Sequence, residues 1–372
     1  MTPGPPVSPA EWRERARAFA ARTVQPRADE IETSDALPRD LVEALVRDGY
    51  FGLGQPAAWG GGGEGSEALV SVLEELAYAS PAVATLLSVH LAVCAAPIAE
   101  WGTDAQREKF LRPLLQQGRL GAFALTEPGA GSDAARIACR YRKEGEGFRL
   151  DGSKMFITNG GLADLLLVFA TRDPGEGHAG ISAFLVPQGT PGLSVAQRWE
   201  KLGLRGSETT ELTLHEVALG KDSLLGPEGK GLAIALGALT GGRVGIAATA
   251  LGVARAALEA LTEAARAAPA DWKSAVVARA FAEVAAASAL VQRAARQKDL
   301  GEPFAEEASA AKLLASRVAV SIASRAVDVV GEPSGPAAAR AARIFRDARV
   351  FPIVEGTSEI QELILGRELL GQ

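Results

Sequence analysis

The stretch RDARVFPIVEGTSEIQELILGREL, residues 346–369, joins an apolar segment, a glycine turn and a second amphipathic run near the end of the chain. Ser358 and Gln361 match the S-x-x-Q capping box, which predicts a helix that begins near Ser358. This helix would bury one face, formed by Ile360, Leu363 and Ile364. Glu355 then lies just before the helix, in a turn that Gly356 makes flexible. Loop acids are usually solvated, so an acid at this break is only a candidate functional residue.

Outward from this stretch, the hydrophobic period divides the chain into three blocks. Residues 1–120 repeat apolar side chains at spacings of three and four, which predicts an N-terminal all-α domain. Residues 121–222 change to a period of two, punctuated by Gly, Pro, Asp and Asn, which predicts a middle antiparallel β-domain. Residues 223–372 return to long Ala- and Leu-rich helical segments, which predicts a C-terminal four-helix bundle. The expected fold class is α+β.

The composition argues against several classes of function. The 372 residues include 39 basic and 45 acidic side chains without a basic tract, so we expect no nucleic-acid partner. Two cysteines and three histidines without CxxC or HxxxH spacing predict no metal site. The N-terminus lacks the apolar core of a signal peptide, and no apolar run approaches the ~20 residues of a membrane span. We therefore expect a cytoplasmic protein with no membrane partner.

Further stretches carry candidate chemistry. FALTEPGAGSDA, residues 123–134, is a strand end followed by a glycine loop whose backbone N–H groups could face phosphate oxygens. GSKMFITNGG, residues 152–161, presents an aromatic residue and a threonine on one strand face before an Asn-Gly hairpin turn. TGGRVGIAATALGVARAAL, residues 240–258, places Arg243 at a helix start, where the macrodipole disfavours a cation. Each pattern also fits an ordinary loop, hairpin or closely packed helix.

Taken together and in this order, the stretches resemble the acyl-CoA dehydrogenase family over essentially the whole chain. The matching segments are FALTEPGAGSD, KMFITNGG, WEKLGLRGSETTELTL (199–214), GRVGIAATALG and the terminal segment 346–369. The resemblance implies FAD between the β-domain and the bundle, an acyl-CoA substrate, electron-transfer flavoprotein as the electron acceptor, and a homotetramer or dimer. It also implies the chemistry of fatty-acid β-oxidation, in which an α-proton leaves to a base and a hydride passes from Cβ to flavin N5.

The resemblance further implies roles for individual residues. Glu355 occupies the catalytic-base position of the short- and medium-chain type, whereas the alternative base position beside Arg243 is held by Gly241 and Gly242. Burial against apolar surface and flavin would raise the pKa of Glu355 and strengthen it as a base. The implied FAD contacts are Phe123, Leu125, Thr126, Ser132, Phe156, Thr158, Thr357 and Glu359. The implied acyl-CoA contacts are Ser132, Gly356 and, along the CoA side, Arg243.

Two segments depart from the family pattern. Residues 264–274 read AARAAPADWKS where relatives carry R-x-x-F-G, and residues 328–336 read DVVGEPSGP where relatives carry Q-x-x-G-G-x-G. In the second segment Asp328 replaces the Gln, and Glu332 replaces one glycine of the pair. Both departures fall at the implied adenosine end of FAD, which predicts weaker or rearranged cofactor binding. They leave open a non-catalytic acyl-CoA-binding or assembly protein, and a flavin oxidase or monooxygenase on the same fold is a further alternative.

Overall fold

The N-terminal part of the computed structural model, which describes residues 7–331 and 334–371, is helical as the sequence predicts. Its helices are α1 (Pro9–Phe19), α2 (Ala28–Ser34), α3 (Arg39–Arg47), α4 (Ser66–Ala79), α5 (Pro81–Ser88), α6 (Ala96–Trp101), α7 (Asp104–Gln106) and α8 (Arg112–Gln116). π-helical segments continue α1, α5 and α7 at Ala20–Val24, Val89–Ala95 and Arg107–Leu111. The apolar spacing of three and four is visible in α4, where Leu69, Val72, Leu73 and Leu76 form one stripe that is buried in the core.

The middle part of the chain forms one sheet. Its strands are β1 (Gly121–Ala124), β2 (Arg140–Glu144), β3 (Gly147–Thr158), β4 (Leu165–Thr171), β5 (Ile181–Pro187), β6 (Leu193–Arg198), β7 (Thr209–Leu219) and β8 (Leu224–Leu225). They are ordered β6-β7-β3-β2-β4-β5-β8, with β1 added beside β4. Antiparallel pairs dominate, while β1 and β2 run parallel to β4. Strand β4 is buried along its whole length because one face packs against the helical core, whereas the other face, with Leu166, Val168 and Ala170, packs against side chains of the sheet itself.

The Asn159-Gly160 turn does not form the predicted hairpin. Asn159 has a φ of 63°, as the turn chemistry predicts, but β3 pairs with β2 and β7, whereas β4 pairs with β1, β2 and β5. The side-chain amide of Asn159 is buried and donates to the carbonyls of Leu86 and Gly121, both at 3.3 Å. These bonds direct the chain out of the sheet and tie the turn to α5 and β1.

The C-terminal part consists of long helices, as the sequence predicts for residues 223–372. They are α9 (Gly231–Ala267), α10 (Asp271–Asp299), α11 (Ala305–Val330), α12 (Pro336–Ala348) and α13 (Ser358–Leu370). The predicted close packing of α9 is confirmed at Gly252, where an added Cβ would come within 2.7 Å of the Ala77 side chain in α4. A Cβ on Gly245 would likewise meet the hydroxyl of Ser88 in α5 at 2.6 Å. Small residues therefore set how closely the bundle approaches the N-terminal helices.

The expectation that no apolar stretch reaches membrane-spanning length was wrong for three helical stretches. Pro81–Trp101, Gly231–Ala267 and Asp271–Asp299 reach mean hydropathies of 2.0, 1.5 and 1.6, so length and composition alone would let them cross a membrane. The first two are buried over 89% and 83% of their most apolar windows, and core packing accounts for their apolar character. The third, in α10, is only 22% buried and leaves an apolar face open.

Candidate active site

The segment that precedes α13 forms a sharp turn around Glu355. Glu355 has a φ of 51° and Gly356 a φ of 93°, so two successive residues adopt the left-handed conformation. Glycine tolerates this conformation, whereas a glutamate in it stores strain that the surrounding contacts must hold. The Nε2 group of Gln361 donates to the carbonyl of Gly356 at 3.1 Å, and the N–H of Ser358 donates to the carbonyl of Pro352 at 2.8 Å.

Helix α13 begins at Ser358 as predicted, but its cap and its buried face differ from the prediction. Thr357 is the N-cap, and its hydroxyl accepts a hydrogen bond from the N–H of Ile360 at 3.3 Å. Gln361 is the residue that faces the interior, while Leu363 is 52% exposed. Thr and Ser are both good N-caps, so adjacent Thr-Ser residues leave the capping position ambiguous by one residue. The buried face differs because the amide of Gln361 turns inward to donate to the carbonyl of Gly356.

The carboxylate of Glu355 is the most distinctive group of this turn. Part of the residue reaches the surface, yet both carboxylate oxygens are buried and have no hydrogen-bond partner within the described residues. Burial raises the pKa of Glu355 to about 7, against the opposing effects of the nearby cations Arg243 and Lys312. A carboxylate that is half-ionised near neutral pH suits proton abstraction from a weak carbon acid.

Arg243 lies opposite this carboxylate, inside α9 rather than at a helix start. The prediction of a helix start was wrong because Gly241 and Gly242 continue the helix instead of breaking it. Arg243 is 7% exposed, and one guanidinium nitrogen lies 3.5 Å from the hydroxyl of Ser309 in α11. Burial lowers its pKa, and the charge of Glu355 opposes that change. The predicted contact with the CoA side stays a prediction.

Gly242 keeps open the space that the carboxylate occupies. A Cβ built on Gly242 would collide with Oε2 of Glu355 and approach the side chain of Val93 at 2.8 Å. Any side chain at this position would therefore displace the acid. Beside it, a small apolar cluster separate from the main core meets the edge of Phe123, and its members are Val89, Ala92, Val93 and Ala238. This cluster supplies an apolar wall next to the acid.

The structure brings the predicted residues of β1 and β3 together. The carbonyl of Thr126 accepts from the N–H of Met155 at 2.8 Å, which fixes the loop after β1 against the strand that carries Phe156 and Thr158. Leu125 is buried below this contact. The remaining predicted contacts lie at or near the surface: Phe123, Thr126, Thr158 and Thr357 are half-buried, whereas Ser132 and Glu359 are exposed.

A buried ion pair that the sequence analysis missed supports this loop. Lys154, fully buried, donates to the carboxylate of Glu127 at 2.6 Å and to the carbonyl of Leu125 at 3.1 Å. Glu127 also accepts from the N–H groups of Ala138 and Cys139. A lysine within an alternating strand resembles a solvated residue in sequence, and only the packing of two loops shows that it is internal.

The residues around the loop fit a planar aromatic cofactor. Phe156 has a φ of 59° and is 56% exposed, with its ring centroid 5.4 Å from that of Trp199. The indole N–H of Trp199 is buried without a hydrogen-bond partner in the described part of the chain. A Cβ added to Gly129 or Gly131 would meet open space within 4 Å, so their backbone is accessible to a ligand. An uncovered aromatic surface beside an open glycine loop suits an isoalloxazine ring and its phosphates.

The two departing segments lie at the ends of bundle helices. Residues 264–274 span the end of α9, a short connection and the start of α10, where Trp272 is 57% exposed. Asp328 is an exposed residue of α11, whereas Glu332 lies outside the described residues. Among the residues that the structure describes, no group of three or more His, Cys, Asp or Glu side chains could hold a metal ion.

A buried carboxylate that is half-ionised near neutral pH, next to an apolar wall, is typical of an acid–base site, and the open aromatic surface of the same chain suits a planar cofactor. Family profiles match in chain order: acyl-CoA dehydrogenase N-terminal domain at 9–118, middle domain at 122–217 and C-terminal domain at 229–370. A short-chain-specific acyl-CoA dehydrogenase of Megasphaera elsdenii is 39% identical over 97% of each chain.

Solved structures agree with the sequence matches. The structure of butyryl-CoA dehydrogenase from Megasphaera elsdenii superimposes with a TM-score of 0.94 at 37% identity, over 97% of this chain and 98% of that one. A chain from a structure described as the electron transferring flavoprotein of Acidaminococcus fermentans superimposes with a TM-score of 0.96 at 33% identity, over 100% of both chains. The chain belongs to the acyl-CoA dehydrogenase family. It is an FAD-dependent oxidoreductase that acts on CH–CH bonds, and the predicted α+β fold class is confirmed.

Proposed function

We propose that Glu355 is the catalytic base that removes the α-proton of a bound acyl-CoA. The observation that carries this assignment is the burial of both carboxylate oxygens without a hydrogen-bond partner among the described residues, which raises the pKa of Glu355 to about 7. The proton moves from Cα to the carboxylate, a hydride leaves Cβ with its electron pair, and the α,β-double bond forms. Bound FAD supplies the redox step by accepting that hydride.

The remaining residues orient the reactants. Phe156 and Trp199 offer an aromatic surface to the flavin, and the apolar cluster around Val93 excludes water from the acyl chain and the acid. We assign FAD contacts to Phe123, Leu125, Thr126, Ser132, Phe156, Thr158, Thr357 and Glu359, and acyl-CoA contacts to Ser132, Arg243 and Gly356. Exclusion of water keeps Glu355 poorly solvated and therefore strong as a base.

We also propose electron-transfer flavoprotein as the electron acceptor of this chain, in a cytoplasmic setting. Support comes from the match to a chain in a structure that is described as an electron transferring flavoprotein. FAD-loaded protein mixed anaerobically with butyryl-CoA should lose its flavin absorbance, and electron-transfer flavoprotein should restore it. Rapid peroxide formation in air would instead favour an oxidase, and a colourless protein that takes up no FAD would favour the non-catalytic alternative.

The open face of α10 supports self-association as a homotetramer or dimer. Its most apolar window is only 22% buried, and Phe281 and Trp272 are 65% and 57% exposed. Contiguous apolar faces of this kind are typical of interfaces between subunits. Light scattering should give a mass above the 38.5 kDa of one chain, and Phe281→Lys should shift the mass towards that value. A monomeric wild-type protein would contradict the proposal.

A further inference from the structure

Helix α11 buries a polar stripe that the proposed mechanism leaves without a role. Ser309, Lys312 and Ser316 follow one another at spacings of three and four, which places them on one helix face. All are fully buried, although the rest of this face consists mainly of alanine and other apolar residues. Buried polar groups in an apolar helix face need partners, so the stripe must serve contacts on the segment packed against it.

Each member of the stripe faces the active-site turn or its surroundings. The Lys312 ammonium donates to the carbonyl of Gly356 at 2.6 Å. The Ser316 hydroxyl donates to the carbonyl of Phe351 at 3.1 Å, and the Ser309 hydroxyl lies 3.5 Å from Arg243. Lys312 and Ser316 therefore hold the chain after and before Glu355 against α11, while Ser309 contacts Arg243 of α9.

A charged group at this place needs a specific explanation. An ammonium that is removed from water loses solvation, and a serine or an amide would donate the same hydrogen bond at lower cost. The turn that receives this bond is itself strained, because Glu355 has a φ of 51°. Strained backbone persists only where neighbouring contacts hold it. The carbonyl of Gly356 is held from two sides, by Lys312 and by Gln361.

We propose that Lys312 is a positioning residue for Glu355, whose ammonium holds the left-handed turn at Gly356 and thereby aims the carboxylate at Gly242. The proposal rests on the proposed role of Glu355 as the base. Helix α11 would then position the catalytic base in addition to packing within the bundle. Lys312 donates to the backbone of the turn, so its proposed action runs through the geometry and the charge state of the acid.

Electrostatics give the proposal a measurable consequence. The charged groups that face Lys312 are Glu355 and Glu359, which raise its pKa, and Arg243, which lowers it. Burial is the largest effect and lowers the pKa of Lys312 to about 8. Its positive charge in turn lowers the pKa of Glu355, so loss of the charge should raise the pKa of the acid further.

The test compares Lys312→Met, which removes charge and donor, with Lys312→Gln, which removes the charge and keeps a donor. The carbonyl stretch of protonated Glu355, assigned by its loss in Glu355→Gln, reports the titration of the acid by infrared spectroscopy without substrate. At high pH the acid is ionised in every variant and Lys312 of the wild type is a neutral amine that still donates its hydrogen bond, so the rate of flavin reduction by butyryl-CoA there reports geometry alone. Ser316→Ala is the matched control, since it also removes a buried α11 bond to the same segment.

We expect both Lys312 variants to raise the titration midpoint of Glu355 by on the order of one pH unit. The high-pH rate should fall at least about tenfold in Lys312→Met and much less in Lys312→Gln, because small misplacements of a reacting group cost large factors in rate. Ser316→Ala should lower thermal stability without moving the midpoint. A wild-type rate of flavin reduction at high pH in Lys312→Met overturns the proposal. If Lys312→Met does not fold, an unchanged titration midpoint of Glu355 in Lys312→Gln overturns it instead. Wild-type protein that no acyl-CoA reduces would refute the proposed function instead, while the infrared titration still tests Lys312.

Discussion

The perturbed carboxyl of Glu355 predicts a pH-dependent loss of stability that can be measured without substrate. Its pKa is about 7 in the folded protein, against an ordinary value of 4.5. The folded state therefore binds the proton more tightly than the unfolded state, and the free energy of unfolding falls as the pH rises through this window. A difference of roughly 2.5 between the two pKa values corresponds to about 3 kcal/mol. The burial of this acid thus destabilises the protein by that order above neutral pH.

Glu355→Gln removes this titration. The stability of the variant relative to the wild type should therefore rise by about 2.5 kcal/mol between about pH 5 and about pH 8. Asp347, whose pKa burial also raises to about 7, titrates in both proteins and cancels in the difference. Urea unfolding followed by circular dichroism measures the two curves, and Glu368→Gln, an exposed acid of α13, controls for the loss of one charge. Parallel curves for Glu355→Gln and the wild type would refute the burial argument.

Three further substitutions test the space next to Glu355, the buried ion pair below the glycine loop and the cap of α13. Gly242→Ala should reduce the rate of flavin reduction at least about tenfold while FAD stays bound, because the new methyl group displaces the acid, whereas Gly237→Ala, which faces open space, should not. Lys154→Met leaves the buried carboxylate of Glu127 without its partner. The free energy of unfolding, measured with urea, should fall by about 3–5 kcal/mol, and the variant should also retain less FAD. An unchanged unfolding midpoint would show that this pair does not support the loop. Thr357→Ala removes the N-cap of α13 and should lower the free energy of unfolding by about 1 kcal/mol. An unchanged free energy of unfolding would indicate that Ser358 is the N-cap instead.

The sequence predicts the long helices and the change to strands well because the apolar period repeats regularly over many residues. The helices between Gly231 and Ala348 lie where the apolar spacing places them, and strands replace helices where the period changes to two. Helix caps and turns are less predictable where the local sequence is compatible with two conformations. Adjacent Thr-Ser residues can both cap α13, and an Asn-Gly turn can leave a sheet when the amide of Asn159 finds buried carbonyls in α5 and β1.

The site is only partly readable from the sequence. The family resemblance points to Glu355, but its raised pKa depends on burial and on Arg243 and Lys312, which are distant along the chain. Lys312 in an alanine-rich helix and Lys154 in an alternating strand both resemble solvated residues. A polar stripe at spacings of three and four, on a helix that should be buried, is the one sequence feature that would have identified Lys312.

The most direct test of Glu355 as the base is the rate of flavin reduction by butyryl-CoA, measured by anaerobic rapid mixing at matched FAD occupancy. In the wild type, the rate should rise as the pH passes through the pKa of the acid and should then level off, because only the carboxylate accepts the proton. Glu355→Gln should lower the rate by about 10²–10⁴-fold or more and remove this pH dependence. A variant that keeps the wild-type rate and pH profile would contradict the assignment.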